Sequence, residues 1–234
     1  MEHLARARLL LGDGIDLLRH KTVAVFGLGG VGGHAVEALA RTGVGHLILV
    51  DHDMVSITNL NRQLLALHST IGMSKVAAAA ARIRDIDPTI EVTEMELFFG
   101  PDTAHLFDFT KIDYAVDCID TVTGKLQLIT AAKTAGCPVI SCMGTGNKLD
   151  ASRFQITDIS KTTVCPLARI MRKECAKRGL KQIKVLFSTE EPLPGGQPDS
   201  EAPDGRRSVP GSVAFVPGVA GMLIAGEVIK DLIK

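Results

Sequence analysis

Residues 22–53 constrain this chain more than any other stretch. They open with a short apolar run at 23–26, typical of a buried strand, and a cluster of glycines follows it directly. From residue 31 the apolar positions recur at helical spacing, and glycines end that segment before a second apolar run at 47–50, which stops at Asp51. A strand, a glycine turn, a helix and a strand ending in an acid predict a nucleotide-binding βαβ unit.

The glycine cluster suits phosphate binding. Glycines lack a Cβ, so a phosphate can approach their backbone, and the free N–H groups and positive dipole end of the following helix attract its charge. Asp51 lies where a carboxylate can accept hydrogen bonds from both ribose hydroxyls. Close packing of the strand against the helix is the alternative explanation. The predicted nucleotide-binding glycines are Gly27, Gly29, Gly30 and Gly32.

Composition excludes several classes of protein. A hydrophobic share of 46% and a charged share of 22% suit one α/β domain over residues 1–234, with a nucleotide-binding half at about 1–150 and a second half at about 151–234. Zero formal net charge argues against a polyanion-binding surface over the whole chain. Five cysteines without a CxxC pair predict a cytoplasmic protein without structural zinc. We expect no signal peptide and no membrane span.

A polar turn follows the second strand. Asn59, Arg62 and Gln63 lie just beyond its carboxyl end, where ligands of open α/β sheets bind, and Lys75 begins a helical run. A triphosphate cleaved between its α and β groups develops charge on both sides of the break, which favours two cations in the site. Alternatively, Arg62 is an ordinary surface charge and Lys75 an ordinary first-turn residue.

Two acids follow the strand that is predicted at 114–116. Asp117 and Asp120 are expected over the same crevice, and Asp120 is a candidate Mg²⁺ ligand because Mg²⁺ in nucleotide sites takes one or two carboxylates plus phosphate oxygens. The alternative for Asp120 is an N-cap of the helix expected at 121–135. Cys118 and Cys142 lie in apolar segments and are interpreted as packing residues.

The second half of the chain is rich in basic residues at 161–184. Such a cluster is an electrostatic footprint for a nucleic-acid backbone, although a solvated helix face would look similar. The candidate RNA-binding residues are Lys161, Arg169, Arg172, Lys173, Lys177 and Arg178. A Pro- and Gly-rich stretch at 189–211 is predicted to be a mobile loop. Elsewhere we expect a helix at 4–19, strands at 90–98, 138–143, 153–158 and 212–216, a glycine turn over the crevice at 144–147, and a helix at 218–233.

Together these segments predict an α/β fold, a Rossmann-like three-layer sandwich whose parallel sheet continues in antiparallel strands. A nicotinamide-dependent oxidoreductase would share the glycine turn and the acid. The single tyrosine, Tyr114, is expected inside a strand, and no residue is an evident hydride-transfer acid.

Four motifs, GLGGVG, DHDMVSITNLNRQ, TIGMSK and DCIDTV, resemble in order and spacing the ubiquitin-activating-enzyme-like superfamily of adenylyltransferases. The resemblance covers roughly residues 4–160. It implies ATP and Mg²⁺ as cofactors, with Mg²⁺ acting through Asp120, and a homodimer in which Arg8 reaches the partner's nucleotide site. It also implies the nucleotide-binding set Asp51, Asp53, Asn59, Arg62, Gln63 and Lys75.

Within that superfamily, the segment GTGNKLDASRFQITDISKTTVCPLARIMRK is similar to the tRNA threonylcarbamoyladenosine dehydratase branch. This resemblance implies adenylation of the threonylcarbamoyl carboxylate on tRNA, then cyclisation with release of AMP. A cysteine desulfurase or sulfur-acceptor system is a further candidate partner. The alternative is activation of a ubiquitin-like sulfur-carrier protein, although bacterial enzymes of that type usually carry two CxxC pairs. Where the dehydratase motif KTxxDPL has an acid, this chain has Cys165.

Overall fold

A computed structural model describes residues 2–194 and 210–234. Its described residues form a seven-stranded sheet in the order β3-β2-β1-β4-β5-β7-β6. All neighbouring strands are parallel except β6 and β7, which are antiparallel. The predicted fold class is therefore confirmed. The strands are β1 (Thr22–Phe26), β2 (His46–Asp51), β3 (Glu91–Glu96), β4 (Tyr114–Asp117), β5 (Val139–Cys142), β6 (Phe154–Asp158) and β7 (Lys184–Ser188).

Helices cover both faces of the sheet. Val23 and Val25 of β1 pack in one apolar cluster with the helices at 32–41, 75–86 and 215–232, whereas Ala24 and Phe26 pack in another with the helix at 122–135. Alternate residues of a strand point to opposite faces, so a strand buried on both sides has an unbroken apolar run. The helices are α1 (Ala5–Leu11), α2 (Gly14–Leu18), α3 (Gly32–Arg41), α4 (Lys75–Ile86), α5 (Val122–Ala135), α6 (Pro166–Lys177) and α7 (Phe215–Leu232).

Two predicted elements were wrong. The N-terminal helix expected at 4–19 is divided into α1 and α2 at Gly12, whose φ of 54° lies in the left-handed region that ends a helix. The strand expected at 212–216 does not form, and α7 begins at Phe215. Residues 211 and 212 instead bond to asparagine side chains beside the sheet. Within the described chain, no helix has both the length and the apolar character needed to span a bilayer.

The predicted loop at 189–211 is only partly described, because residues 195–209 lie outside the described residues. Its start is held in place by one buried residue. Glu190 is only 9% exposed, and its carboxylate accepts hydrogen bonds from the N–H groups of Leu149 and Asp150 at 2.9 and 3.0 Å. A sequence rich in Pro and acids therefore begins with a buried acid that ties it to the segment after β5.

The end of α7 is joined to the sheet by a charged cluster around Asp231. Its carboxylate accepts hydrogen bonds from Lys184 in β7, from Lys234, and from the Tyr114 hydroxyl in β4 at 2.9 Å. Burial opposes the charge of Asp231, but these donors outweigh it and lower its pKa to about 2. The Tyr114 hydroxyl, the only one of its type in the chain, thus has a structural partner.

Asp231→Asn is expected to reduce the decrease in the free energy of unfolding between pH 7 and pH 3. The folded pKa lies below the value of about 3.9 for an unfolded Asp, so the ionised form stabilises the fold above about pH 4, and that contribution disappears as pH falls towards 2. Urea unfolding at pH 7 and pH 3 measures the difference. The exposed Asp102→Asn serves as a control. An equal pH dependence in wild type and Asp231→Asn would contradict the assignment.

Candidate functional site

A cavity of about 740 Å³ lies over the carboxyl ends of the central strands. This is where ligands bind in open α/β sheets, because loops from neighbouring parallel strands meet at one edge. Its volume is in the range of small-molecule and cofactor sites. The wall is built by seven segments: the turn after β1, the 50–54 segment, the 56–63 turn with Lys75, the 97–99 segment, the 118–121 loop, Thr145, and Ser212 with Pro217.

The glycines of the turn after β1 have two different roles. Gly27, Gly29 and Gly30 lie on the cavity wall. Gly27 has a φ of 89°, and its N–H donates to the Val50 carbonyl at 2.8 Å. Gly32 does not line the cavity: a Cβ there would lie 1.8 Å from the Gly27 carbonyl oxygen. For Gly32 the packing explanation therefore applies, since it lets α3 begin directly against the strand end.

The acids after β2 are held in defined positions. Asp51 is 8% exposed, and its two carboxylate oxygens accept the N–H groups of Leu28 at 2.6 Å and Asp53 at 2.9 Å. These bonds orient the carboxylate on the wall beside the glycine turn. The Lys75 side chain is almost fully buried, and its Nζ donates to Asp53 Oδ2 at 2.7 Å. The first residue of α4 is thus directed into the cavity.

The three residues predicted in the 56–63 turn, Asn59, Arg62 and Gln63, lie on the wall. Asn59 Oδ1 accepts the Ser56 N–H at 3.2 Å, which shapes the turn. Arg62 uses Nη1 for two bonds, to the Thr58 carbonyl and to Asn61 Oδ1, both at 2.9 Å. Gln63 is 8% exposed, and its Oε1 accepts no hydrogen bond within the described residues. A buried acceptor of this kind is rare without a ligand or water, and Gln63 is one of the residues that line the cavity.

Asp120 and Asp117 have different environments. Asp120 is exposed and lines the cavity. Its proposed role as a helix N-cap was wrong, because Thr121 is the N-cap of α5 and accepts the Gly124 N–H. Asp117 was expected over the crevice and does not line it. Its carboxylate is fully buried, paired with Lys125 at 3.2 Å and bonded to Ser141.

The donor set on the wall fits a hard cation. Asp51, His52 and Asp53 present ligand atoms within 4.8 Å of one another, and Asp120 faces the same cavity. Carboxylate oxygens beside a space for phosphate match the coordination that Mg²⁺ prefers. Sequence reasoning missed His52, Phe98 and Ser212, which also line the cavity, whereas Thr145 lies in the glycine turn that was expected over the crevice. Ser212 lies far along the chain in an unremarkable segment, so only the fold brings it there.

Arg8 lies away from this cavity. Its guanidinium donates two hydrogen bonds to Asp16, at 2.8 and 2.6 Å, and both side chains are exposed. Within one chain Arg8 therefore contributes nothing to the site. A role in a nucleotide site requires a second copy of the chain.

The basic segment divides into two groups. Arg172 donates to the carbonyl and hydroxyl of Thr162, and Lys177 and Arg178 pair with Glu174, which lowers the pKa of that acid to about 2. Lys161, Arg169 and Lys173 are exposed and form no salt bridge with a described residue, although Lys161 lies near Asp158 and favours the charged form of that acid. The second group has charge to offer a phosphate backbone.

Four of the five cysteines are buried packing residues, and Cys118 is partly buried and lines the cavity. Burial raises the pKa of Cys142 to about 12 and that of Cys118 well above its ordinary value. Cys165 is the N-cap residue of α6 and only 1% exposed. All five thiols are free.

Comparison with known proteins agrees with this geometry. The model of the ThiF family matches residues 2–234. The chain belongs to the ThiF family. It is 43% identical, over 243 aligned residues, to a tRNA threonylcarbamoyladenosine dehydratase of Bacillus subtilis, covering all of this chain and 96% of the relative. A molybdopterin-synthase adenylyltransferase of Escherichia coli is 37% identical over 130 residues, covering 55% of this chain and 51% of the relative.

A solved structure shows that the similarity extends to the fold. The tRNA N6-threonylcarbamoyladenosine dehydratase of E. coli, crystallised with ATP, matches with a TM-score of 0.89 and 31% identity. The match covers 99% of this chain and 93% of that structure. A second structure of that protein contains AMP.

Gly32→Ala should destabilise the protein, whereas Gly33→Ala should not. An added Cβ at residue 32 collides with backbone, and overpacking of this kind costs about 1–3 kcal/mol or more. At residue 33 the nearest atoms are at ordinary distances of 3.5 Å or more, so alanine is tolerated in the helix. Thermal unfolding compares the two variants. A Gly32→Ala protein as stable as Gly33→Ala would contradict the packing role.

Proposed function

We propose that this chain is an ATP-dependent tRNA threonylcarbamoyladenosine dehydratase. The observation that carries the proposal is the single cavity in which a glycine turn, an oriented acid and two cations, Arg62 and Lys75, converge. The similarity to a tRNA threonylcarbamoyladenosine dehydratase, which covers all of this chain, supports threonylcarbamoyladenosine in tRNA as the substrate. The molybdopterin-synthase adenylyltransferase, by contrast, aligns with only 55% of this chain, so activation of a sulfur-carrier protein is not favoured.

The first step is activation of a carboxylate. An oxygen of the threonylcarbamoyl carboxylate attacks the α-phosphate of ATP, the bond to the β-phosphate breaks, and pyrophosphate leaves. Gly27, Gly29 and Gly30 accommodate the phosphates and Asp51 accepts the ribose hydroxyls. Arg62 and Lys75 offset charge that grows on both sides of the breaking bond. Asp120 is the proposed Mg²⁺ ligand, assisted by Asp53, and Mg²⁺ would supply further positive charge.

The second step is ring closure. The activated carbonyl carbon is attacked by a nitrogen of the same side chain, the bond to AMP breaks, and the nitrogen loses its proton. The net change is loss of water from threonylcarbamoyladenosine, with ATP converted to AMP and pyrophosphate. Because both reacting groups belong to one substrate, positioning supplies much of the rate. The buried thiols do not take part in this scheme.

Mass spectrometry of nucleosides from tRNA incubated with the protein and ATP tests the proposal. We expect threonylcarbamoyladenosine to lose one water, with one AMP and one pyrophosphate released per product. Arg62→Ala or Lys75→Ala should lower the rate of pyrophosphate release by about 100-fold or more while the fold stays intact. Turnover equal to wild type in either variant would remove the proposed phosphate-binding role. Product formed from a small Gly-Gly-ended protein instead of tRNA would favour the sulfur-carrier alternative.

The proposal includes a homodimer. No residue of α1 is buried, and the adjacent Leu9 and Leu10 are 86% and 88% exposed. Exposed apolar surface of this kind marks an interface. A second apolar stripe follows α7 at helical spacing, formed by Phe215, Val219, Met222 and Leu223. We propose that a second copy covers these surfaces and that Arg8 then reaches the partner's nucleotide.

A cytoplasmic location belongs to the proposal, and five free thiols support a reducing compartment. A cysteine desulfurase or sulfur-acceptor system stays a predicted partner, since no described contact bears on it. The proposed tRNA surface is centred on the exposed face of α6. Lys161, Arg169 and Lys173 present unpaired charge there, whereas Arg172, Lys177 and Arg178 are engaged within the chain.

Arg169→Ala combined with Lys173→Ala should weaken tRNA binding and leave ATP binding unchanged. Each lost phosphate contact lowers the slope of log affinity against log salt by about 1, so the double variant should lose about 2. Binding titrations at several salt concentrations measure the slope. Lys111→Ala combined with Lys230→Ala is a charge-matched control on other surfaces. Equal loss of tRNA and ATP affinity would indicate misfolding rather than a tRNA surface.

A further inference from the structure

Hydrogen bonds connect the second half of the chain to the guanidinium of Arg62. Asn147, in the turn after β5, exchanges two bonds with Gly211: its Oδ1 accepts the Gly211 N–H at 2.6 Å, and its own N–H donates to the Gly211 carbonyl at 2.8 Å. The next residue, Ser212, lines the cavity, and its carbonyl accepts from Asn61 Nδ2 at 3.0 Å.

Asn61 completes the connection, because its Oδ1 accepts the Arg62 Nη1–H at 2.9 Å. Hydrogen bonds thus link Asn147 to Gly211, and Ser212 through Asn61 to Arg62, with the peptide bond between Gly211 and Ser212 joining the two parts. We call these first four residues the asparagine bridge. It joins two parts of the cavity wall that are about 150 residues apart in sequence.

Backbone conformation and close packing fix the position of the asparagine bridge. Asn147 has a φ of 56°, a left-handed conformation that asparagine tolerates better than most residues. A Cβ on Gly146 would lie 2.8 Å from the Pro210 side chain, so the two segments are in close contact. The Asn147 carbonyl accepts the Leu193 N–H at 2.8 Å, which adds a third segment to the same point.

The bridge leaves part of Arg62 available for a ligand. Both bonds of the guanidinium use Nη1, to Thr58 and Asn61. Within the described chain Nε and Nη2 donate to no protein group, and Arg62 lines the cavity. A guanidinium fixed on one nitrogen offers its other donors in a defined plane, which suits bidentate binding of a phosphate. Preorganised donors of this kind lower the barrier without reorganising during the reaction.

We infer that Asn61 and Asn147 are positioning residues that orient Arg62 through the 211–212 segment. The inference rests on the proposed function for the role of Arg62 and goes beyond it in assigning the two asparagines. The bridge acts on Arg62 and on the wall formed by Ser212, so it should affect turnover more than nucleotide affinity.

Four variants separate its parts. Asn147→Gly keeps the left-handed backbone and removes the side-chain acceptor, and Asn147→Asp restores an acceptor. Asn61→Ala removes both side-chain bonds to Ser212 and Arg62. Gln182→Gly is a matched control, because Gln182 is an exposed residue with a φ of 54° away from the cavity.

We expect Asn61→Ala and Asn147→Gly each to lower kcat for pyrophosphate release about tenfold, with the ATP dissociation constant changed less than about twofold. Residues linked in one network are not additive, so the double variant should be within about twofold of Asn61→Ala. Asn147→Asp and Gln182→Gly should be close to wild type. A double variant reduced about 100-fold, or equal losses of kcat and ATP affinity, would overturn the inference.

Hydrogen exchange of the 210–217 peptide gives a readout that does not depend on activity. Loss of the Asn147 acceptor should speed exchange there in Asn147→Gly but not in Asn147→Asp. Unchanged exchange in Asn147→Gly would overturn the bridge even if tRNA is converted. A wild-type protein that converts no tRNA, with faster exchange in Asn147→Gly, would overturn the proposed function and leave the bridge intact.

Discussion

The whole site depends on how closely the chain folds back at the end of β1. A Cβ at residue 32 would lie 1.8 Å from the Gly27 carbonyl oxygen, so helix and strand can meet there only through glycine. That contact directs the amino end of α3 towards the cavity. The Leu28 N–H is already bonded to Asp51, which links the turn to the end of β2. Backbone amides and an oriented carboxylate are thereby available before a nucleotide arrives.

Parallel strands bring residues that are distant in sequence to the same cavity wall. The carboxyl ends of β1, β2, β4 and β5 meet at one edge, so residues as far apart as Gly27 and Thr145 share one wall. Two acids near that edge, Asp117 and Asp120, differ in how deeply they are buried. Asp117 ends β4 under the surface and is neutralised by Lys125, whereas Asp120, three residues later, is exposed in the cavity. The buried pair keeps its charge away from a ligand, and Asp120 offers its charge to one.

Outside the cavity, the basic side chains in and next to α6 are likewise divided into paired and unpaired ones. α6 uses Arg172 to contact Thr162 and Glu174 to pair with Lys177 and Arg178, so only part of its positive charge faces solvent unpaired. Asn61 and Asn147, which carry no charge, connect the two halves of the chain around Arg62. Neutral amides suit this task because each can donate and accept at once.

Sequence by itself determined the βαβ unit, the doubly covered sheet and the positions of Gly27, Asp51, Arg62 and Lys75 on one wall, because strict hydrophobic periodicity and glycine punctuation specify strands, helices and their ends. Tertiary structure decided which residues bond to one another and which pack against one another. It placed Asp117 below the cavity, gave Gly32 a packing role, paired Arg8 with Asp16, and brought Ser212 to the wall without the expected strand. No local pattern encodes these outcomes, since hydrogen-bond partners and burial exist only after the sheet has assembled.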